Sequence, residues 1–161
     1  MKLNYHSLAQ QDFKFNITGS KSISNRYLIL QALFPNLELK GLSNSDDTQV
    51  LQKALSTPPS QVEEIDIHHA GTAMRFSTAY LSTIAGADVI LTGSQRMQER
   101  PIGILVEALR DLGASISYVA NEGYPPLKIQ GKHLTKEEIT ISAGVSSQYI
   151  TALMLVAPSF E

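Results

Sequence analysis

The chain has 161 residues, 43% hydrophobic and 17% charged, which suits one globular domain with a sizeable core and excludes a disordered chain. Thirteen Lys and Arg against fifteen Asp and Glu give a formal charge of -2, so no bulk basic field draws nucleic acid and any anion site comes from local clustering. Cys is absent, which excludes disulfide scaffolds, thiolate metal sites and cysteine nucleophiles; no apolar run spans a membrane and Met1–His6 has no apolar signal core, so a cytoplasmic location is expected.

In chain order, residues 2–17 read as an extended lead-in, with Phe13, Phe15 and Ile17 alternating with Lys14 and Asn16 as in a half-buried strand. Gly19-Ser20-Lys21-Ser22-Ile23-Ser24-Asn25-Arg26 then forms a strand-to-helix corner, and the helix is predicted over 22–34. Its second half is apolar nearly all round, the mark of a core helix. A helix start has unpaired N–H groups and the positive end of the macrodipole, so adding Lys21 and Arg26 makes a place for an anion. The plainer alternative is that Ser20 or Ser22 caps the helix and the cations are solvated.

Pro35-Asn36 breaks the helix, and 37–42 alternates as a strand. Ser45-Asp46-Asp47 reads as a capping side chain followed by first-turn acids, opening an amphipathic outer helix with Val50, Leu51, Ala54 and Leu55 on one stripe. A strand is predicted over 62–67. Ala70-Gly71-Thr72-Ala73-Met74-Arg75 opens a second apolar helix that ends at Gly86. A strand over 88–93 leads to a loop carrying Arg96 and Arg100. An outer helix with Ile104, Leu105, Ala108, Leu109 and Leu112 on its stripe runs up to Gly113. Strands follow over 115–119 and 127–130. A further strand over 138–142 precedes Gly144-Val145-Ser146-Ser147-Gln148 and a third apolar helix, Tyr149 to Ala157.

The order repeats as strand, core helix, strand, outer helix, strands, with two units complete and a third begun. Each core helix starts with small and polar residues. Packed in parallel, the three would bring their positive ends to one spot, each worth about 0.3–1 kcal/mol to an exposed anion. The residues alone therefore describe an α/β domain that binds a phosphorylated or carboxylated small molecule.

Five ordered motifs go further: residues 19–26, 70–75, Leu91 to Gly103 (LTGSQRMQERPIG), Tyr124-Pro125-Pro126-Leu127, and Val145-Ser146-Ser147-Gln148-Tyr149. Together they resemble the 5-enolpyruvylshikimate-3-phosphate synthase family, from about residue 13 to the end. The resemblance implies an enzyme that transfers the enolpyruvyl group of phosphoenolpyruvate to the 5-hydroxyl of shikimate 3-phosphate with release of phosphate. This is a step of the shikimate pathway toward chorismate and aromatic amino acids. It implies an α/β (α+β) enolpyruvyl transferase fold of repeated βαβαββ units around buried parallel helices, in two domains with the site between them. Residues 1–18 would be a lead-in paired with the second domain, and 19–161 most of the first domain. No cofactor, metal, nucleic acid or membrane partner is implied.

Carried over by position, Lys21 is the expected catalytic residue and contacts both substrates. Ser22, Arg26, Ser146, Ser147 and Gln148 would complete the shikimate 3-phosphate site. Gly71, Thr72, Arg100 and Gln148 would join Lys21 at phosphoenolpyruvate, Arg100 gripping the carboxylate through its planar fork. Arg75 reads equally as ligand or structural support, and Arg96 as a loop charge. Two departures stand out. His69 replaces the usual Asn, exchanging an amide for a group that titrates near neutral pH. Phe76 replaces the usual Pro, restoring a backbone donor.

Family members run to well over twice this length, and the resemblance assigns the remaining catalytic carboxylates and cations to the second domain. The chain is thus expected to be a piece of an enzyme, monomeric when whole, without turnover and open to self-association by itself. Two rivals share features: the sister transferase acting on UDP-N-acetylglucosamine, which typically uses a loop Cys, and a non-catalytic anion-binding module.

Overall fold

The computed structural model describes residues 14–136, 138–142, 144 and 146–160. Six helices lie in this part: α1 Lys21–Leu33, α2 Asp46–Leu55, α3 Gly71–Thr83, α4 Gln95–Gln98, α5 Gly103–Asp111 and α6 Ser147–Val156. Four strands, β1 Glu64–Asp66, β2 Asp88–Thr92, β3 Ser115–Tyr118 and β4 Leu127–Gln130, form one mixed sheet in the order β1-β2-β4-β3. β1 and β2 are parallel, joined through α3, with Ile65 opposite Leu91. β4 pairs antiparallel with both β2 and β3.

Helix α3 is the axis of the core. Eleven of its thirteen residues are buried, so it has no polar face to give to solvent. It packs on α1, α2, α5 and α6 and on β2 and β4. Its hydroxyl residues satisfy themselves within the helix: Thr78 donates to the Met74 carbonyl at 2.8 Å and Ser82 to that of Thr78 at 2.7 Å. This lets a helix rich in Ser and Thr be buried with most of its hydroxyls paired; Ser77 Oγ is the exception among the described residues of the helix. Leu51 of α2, Leu105 and Leu109 of α5, and Val89, Leu91, Leu127 and Ile129 of the sheet close the core around it.

From β1 to β4 the chain follows the predicted βαβαββ order, with α4 inserted before α5. Elsewhere the repeat is only partly realised among the described residues. The strands predicted over 13–17, 37–42 and 138–142 are absent; Phe13 lies outside the described residues, as do positions 1–12 of the lead-in. Alternation reports one buried face, yet Phe15 and Ile17 are both exposed. In the second segment, Gln31 Nε2 takes the Leu37 carbonyl at 2.7 Å, and Gly41 has a left-handed φ of 67°, which breaks extended backbone. Ile139 and Ile141 do pack against the core, but through side chains without a backbone ladder. One unit, not two, therefore has its strands, whereas all three core helices form. The Ser45 hydroxyl does not cap α2 either; it pairs with Thr48 Oγ1 at 3.0 Å, which in turn donates to buried Asn25 of α1 at 2.8 Å.

Cations of one core helix lie against aromatic rings of another. Arg26 of α1 lies over Phe76 of α3. Arg75 of α3 lies over Tyr149 in the first turn of α6. The N-terminal halves of α3 and α6 therefore meet, with α1 against the middle of α3.

Candidate functional site

Two strand-to-helix corners build the centre of the site. Ile67 extends the β1 ladder by donating to the Thr92 carbonyl at 3.1 Å. His68 then takes a left-handed φ of 48°, held by a bond from its N–H to Asp66 Oδ1 at 2.7 Å. Its carbonyl accepts from Ser94 N–H at 2.9 Å, tying the β1–α3 corner to the β2–α4 corner. Gly93 has to be glycine there, because a Cβ would sit 2.5 Å from that carbonyl. His69 and Gly71 are thereby brought beside Ser94 and Arg96.

Gly71 opens α3 with no side-chain cap, and the first helical bond runs from Met74 N–H to the Ala70 carbonyl at 3.0 Å. The amides of Gly71, Thr72 and Ala73 are thus the unpaired donors of a helix start. Two guanidinium groups press on the bare Cα of Gly71. A Cβ there would lie 2.6 Å from Arg100 Nη1 and 2.9 Å from Arg75 Nη1. Arg75 Nη1 donates to the Gly71 carbonyl at 2.7 Å, and its buried Nε has no hydrogen-bond partner. Arg100 is exposed. With His69, Ser94, Arg96 and Met97 it lines a cleft of about 470 Å³. Its lining holds two guanidiniums and no carboxylate, so the cleft is electrostatically suited to an anion.

The loop that carries Arg100 is held from two sides. Ile102 and Gly103 donate to the Gly123 carbonyl at 2.8 and 3.1 Å. The Tyr149 hydroxyl donates to the Pro101 carbonyl at 2.8 Å.

The remaining expected residues are less open than the sequence suggests. Lys21 pairs with Asp47 at 3.5 Å, across the gap between α1 and α2. That pair is partly exposed and worth at most about 1 kcal/mol, so an incoming anion competes for Lys21 at small cost. Arg26 Nη1 donates to Ser22 through both its carbonyl, at 2.7 Å, and its Oγ, at 2.6 Å. Ser20 occupies the N-cap position of α1 without a side-chain bond. Ser146 caps α6, its Oγ accepting from Gln148 N–H at 3.3 Å, while Ser147 is exposed. Thr72 is half-buried beside Gly71.

The structure thus joins Gly71, Arg75 and Arg100 directly. It sets Ser22 with Arg26, Ser146 with Gln148, and Lys21 with Asp47 in adjoining clusters. None of the α1 or α6 residues lines the Arg100 cleft. His69 is the bridge, since it also lines a smaller pocket of about 240 Å³ with Asp46, Asp47 and His68. A wider cleft of about 570 Å³, between Leu28, Gln31, Pro58 and Tyr80, has no cation in its lining and does not suit an anion.

Two residues of the cleft differ from their sequence reading. Arg96 is not a loop charge: it sits on α4 and faces the same cleft as Arg100. Ser94 was not legible as a site residue, although a serine directly after a strand and three residues before the buried Met97 is a capping signal. Its Oγ does accept from Met97 N–H, at 3.4 Å.

The fold and the cluster define a class: an α/β domain whose core helices pack together and whose cations gather near their starts. The sequence model of the EPSP synthase (3-phosphoshikimate 1-carboxyvinyltransferase) family matches residues 44–161. The chain belongs to that family. It is 57% identical over 143 residues to a 3-phosphoshikimate 1-carboxyvinyltransferase of Bacteroides fragilis (strain YCH46), covering 88% of this chain and 34% of the relative. It is 41% identical over 170 aligned positions to the corresponding protein of Pseudoalteromonas atlantica, covering 91% and 39%. The fold matches EPSP synthase from Acinetobacter baumannii with a TM-score of 0.72 at 22% identity, covering 91% of this chain and 38% of that one. The chain therefore spans 34–39% of the length of these curated relatives. Among the described residues, no helix is long and apolar enough to cross a membrane.

Proposed function

We infer that this chain is the N-terminal part of a 3-phosphoshikimate 1-carboxyvinyltransferase and supplies one wall of its substrate site. The observation that carries the reading is the pair of guanidiniums, Arg75 and Arg100, seated on the side-chain-free Cα of Gly71 at the start of a buried helix. In this reading Arg100, Arg96 and the amides of Gly71 and Thr72 hold phosphoenolpyruvate. Lys21, Ser22, Arg26, Ser146, Ser147 and Gln148 hold shikimate 3-phosphate. Lys21 and Gln148 lie toward the reacting carbons, where the 5-hydroxyl oxygen bonds to the enolpyruvyl group and phosphate leaves. The wall binds and orients; it lowers the barrier by fixing the reactants together. No cofactor or metal is required, and the location is cytoplasmic.

The chain by itself binds without turnover. The cleft lining offers no carboxylate for proton transfer, and Asp47 is paired to Lys21. This is where the rival reading of a binding module and the enzyme reading meet; the 57% identity to a 3-phosphoshikimate 1-carboxyvinyltransferase supports this reading over the sister UDP-N-acetylglucosamine transferase. Ile23 and Tyr27 on α1 and Phe34 just after it are exposed, which supports association of the isolated chain at high concentration.

An amide NMR titration of the chain with shikimate 3-phosphate, with shikimate as control, tests the reading. Saturable shifts at Ser22, Arg26, Ser147 and Gln148, weaker with shikimate, are expected. A folded sample that responds to neither compound overturns the preformed wall, and product formed from both substrates by the chain alone overturns the absence of turnover.

A further inference from the structure

Tyr149 links Arg75 to the backbone that carries Arg100, two groups that also come together at Gly71. Its ring lies under the Arg75 guanidinium, 5.4 Å from Cζ to centroid. Its hydroxyl donates to the carbonyl of Pro101, the residue that follows Arg100, at 2.8 Å. Arg100 Nη1 and Arg75 Nη1 both crowd the place a Gly71 Cβ would occupy, at 2.6 and 2.9 Å from it. Tyr149 is buried at 6% exposure, and its bond to Pro101 is partly buried. A ring without the hydroxyl satisfies the first contact but not the second.

We propose that Tyr149 is a positioning residue that sets the aim of both guanidiniums over Gly71, Arg75 through its ring and Arg100 through its hydroxyl. The inference rests on the reading of the Arg100 cleft as the phosphoenolpyruvate wall, but its geometric core concerns the unliganded chain. Arg75 already spends one Nη1 bond on the Gly71 carbonyl, and its Nε has no partner, so the stacking on Tyr149 holds its plane. The Arg100 side chain has no hydrogen bond or ion pair among the described residues; its backbone N–H donates to the Met97 carbonyl at 3.0 Å, so the backbone around it is what fixes its root. Arg100, Ile102 and Gly103 are each anchored through their own N–H, but Pro101 between them has none, so at that residue the backbone is held through its carbonyl.

Two variants separate the roles. Tyr149→Phe keeps the ring and removes the hydroxyl; Tyr149→Leu removes both. In the free ¹⁵N-labelled chain, the Arg75 Nε–Hε signal is protected by burial and shifted by the ring. It is expected to persist in Y149F and to be lost or moved to an ordinary position in Y149L. Gly71 and Arg100 amide signals are expected to shift in both variants. On titration with phosphoenolpyruvate, Y149F is expected to bind about two- to tenfold more weakly, the range for one lost hydrogen bond. Its affinity for shikimate 3-phosphate is expected to be unchanged; a merely structural loss would lower both. Unmoved Gly71 and Arg100 signals in Y149F, with Arg75 Nε–Hε unmoved in both variants, overturn the proposal. If the unsubstituted chain ignores phosphoenolpyruvate, the reading of the cleft fails, and the free-state signals still decide the role of Tyr149. Because Y149F alters no packing volume, a failure of Y149L to fold leaves the test intact.

Discussion

The guanidinium of Arg26 lies over the ring of Phe76, 5.6 Å from its centroid, so the residue that departs from the family's usual proline underlies an expected phosphate-binding cation. Phe76 is itself buried at 1% exposure in the centre of α3. An aromatic face beneath a cation is worth about 0.5–2 kcal/mol, depending on how far water is excluded. Phe76→Leu, which keeps an apolar side chain there, is expected to weaken shikimate 3-phosphate binding about two- to fivefold. Phe76→Ala is expected to cost about 3–5 kcal/mol of stability by opening a core cavity. Titration by NMR and urea unfolding check the two outcomes; an F76L chain with unaltered affinity would show that Ser22 alone orients Arg26.

Gly71→Ala is a substitution in which stability and binding should part company. The atoms a Cβ would meet are the ends of two long side chains, Arg100 Nη1 and Arg75 Nη1, not backbone. Both can move aside, and alanine is the better helix former by about 1 kcal/mol. The expected result is a melting temperature equal to or above that of the unsubstituted chain, with phosphoenolpyruvate affinity lowered about tenfold or more. Calorimetric melting and titration together test this. A destabilised chain with normal affinity would contradict it.

His69 puts an imidazole into the lining of the Arg96–Arg100 cleft. His69→Leu, which removes the polar ring from the lining, is expected to weaken phosphoenolpyruvate binding about two- to tenfold at one fixed pH, the range for one lost hydrogen bond. His69→Asn, which keeps a polar side chain there, is expected to bind more tightly than H69L. Calorimetric titration compares the three proteins; unaltered affinity in H69L would remove His69 from the site.

Burial raises the pKa of the Tyr80 phenol above its ordinary value of 10.0. The folded state therefore holds that proton more tightly than the unfolded state. Its contribution is fully present below the unfolded pKa, about 10, and is lost as pH rises through the folded value. Urea midpoints measured from pH 9 to 11 should fall for the unsubstituted chain and fall less for Tyr80→Phe. A Y80F chain that loses stability just as steeply would assign the alkaline loss to other groups.

The helices were legible in the sequence because their signals are local. The apolar surface of 22–34 predicted α1 to within a residue at either end, and the helix expected from Ala70 to the Gly86 stop matches α3 to within a residue at its start and three at its end. The expected α/β class and the family were legible for the same reason, since the motifs at 19–26, 70–75, 91–103 and 145–149 are contiguous. The strands at 37–42 and 138–142 were misread because alternation states which face is apolar but not whether a partner strand exists.

What the sequence by itself determined is the inventory: helix starts rich in small and hydroxyl residues, cations at 21, 26, 75, 96 and 100, and a composition with no thiol and no basic excess. The tertiary structure alone decided how these meet. Arg75 and Arg100 share Gly71, Arg96 joins the cleft, Lys21 is drawn to Asp47, and Tyr149 reaches Pro101 across 48 positions of the chain. The cleft of Arg96 and Arg100 depends on the crossover that lays β1 beside β2, the Lys21 pair on the packing of α1 against α2, and the Tyr149 contacts on that of α6 against α3. Such contacts join residues far apart in the chain, and no local pattern encodes which side chains the packing will bring within reach.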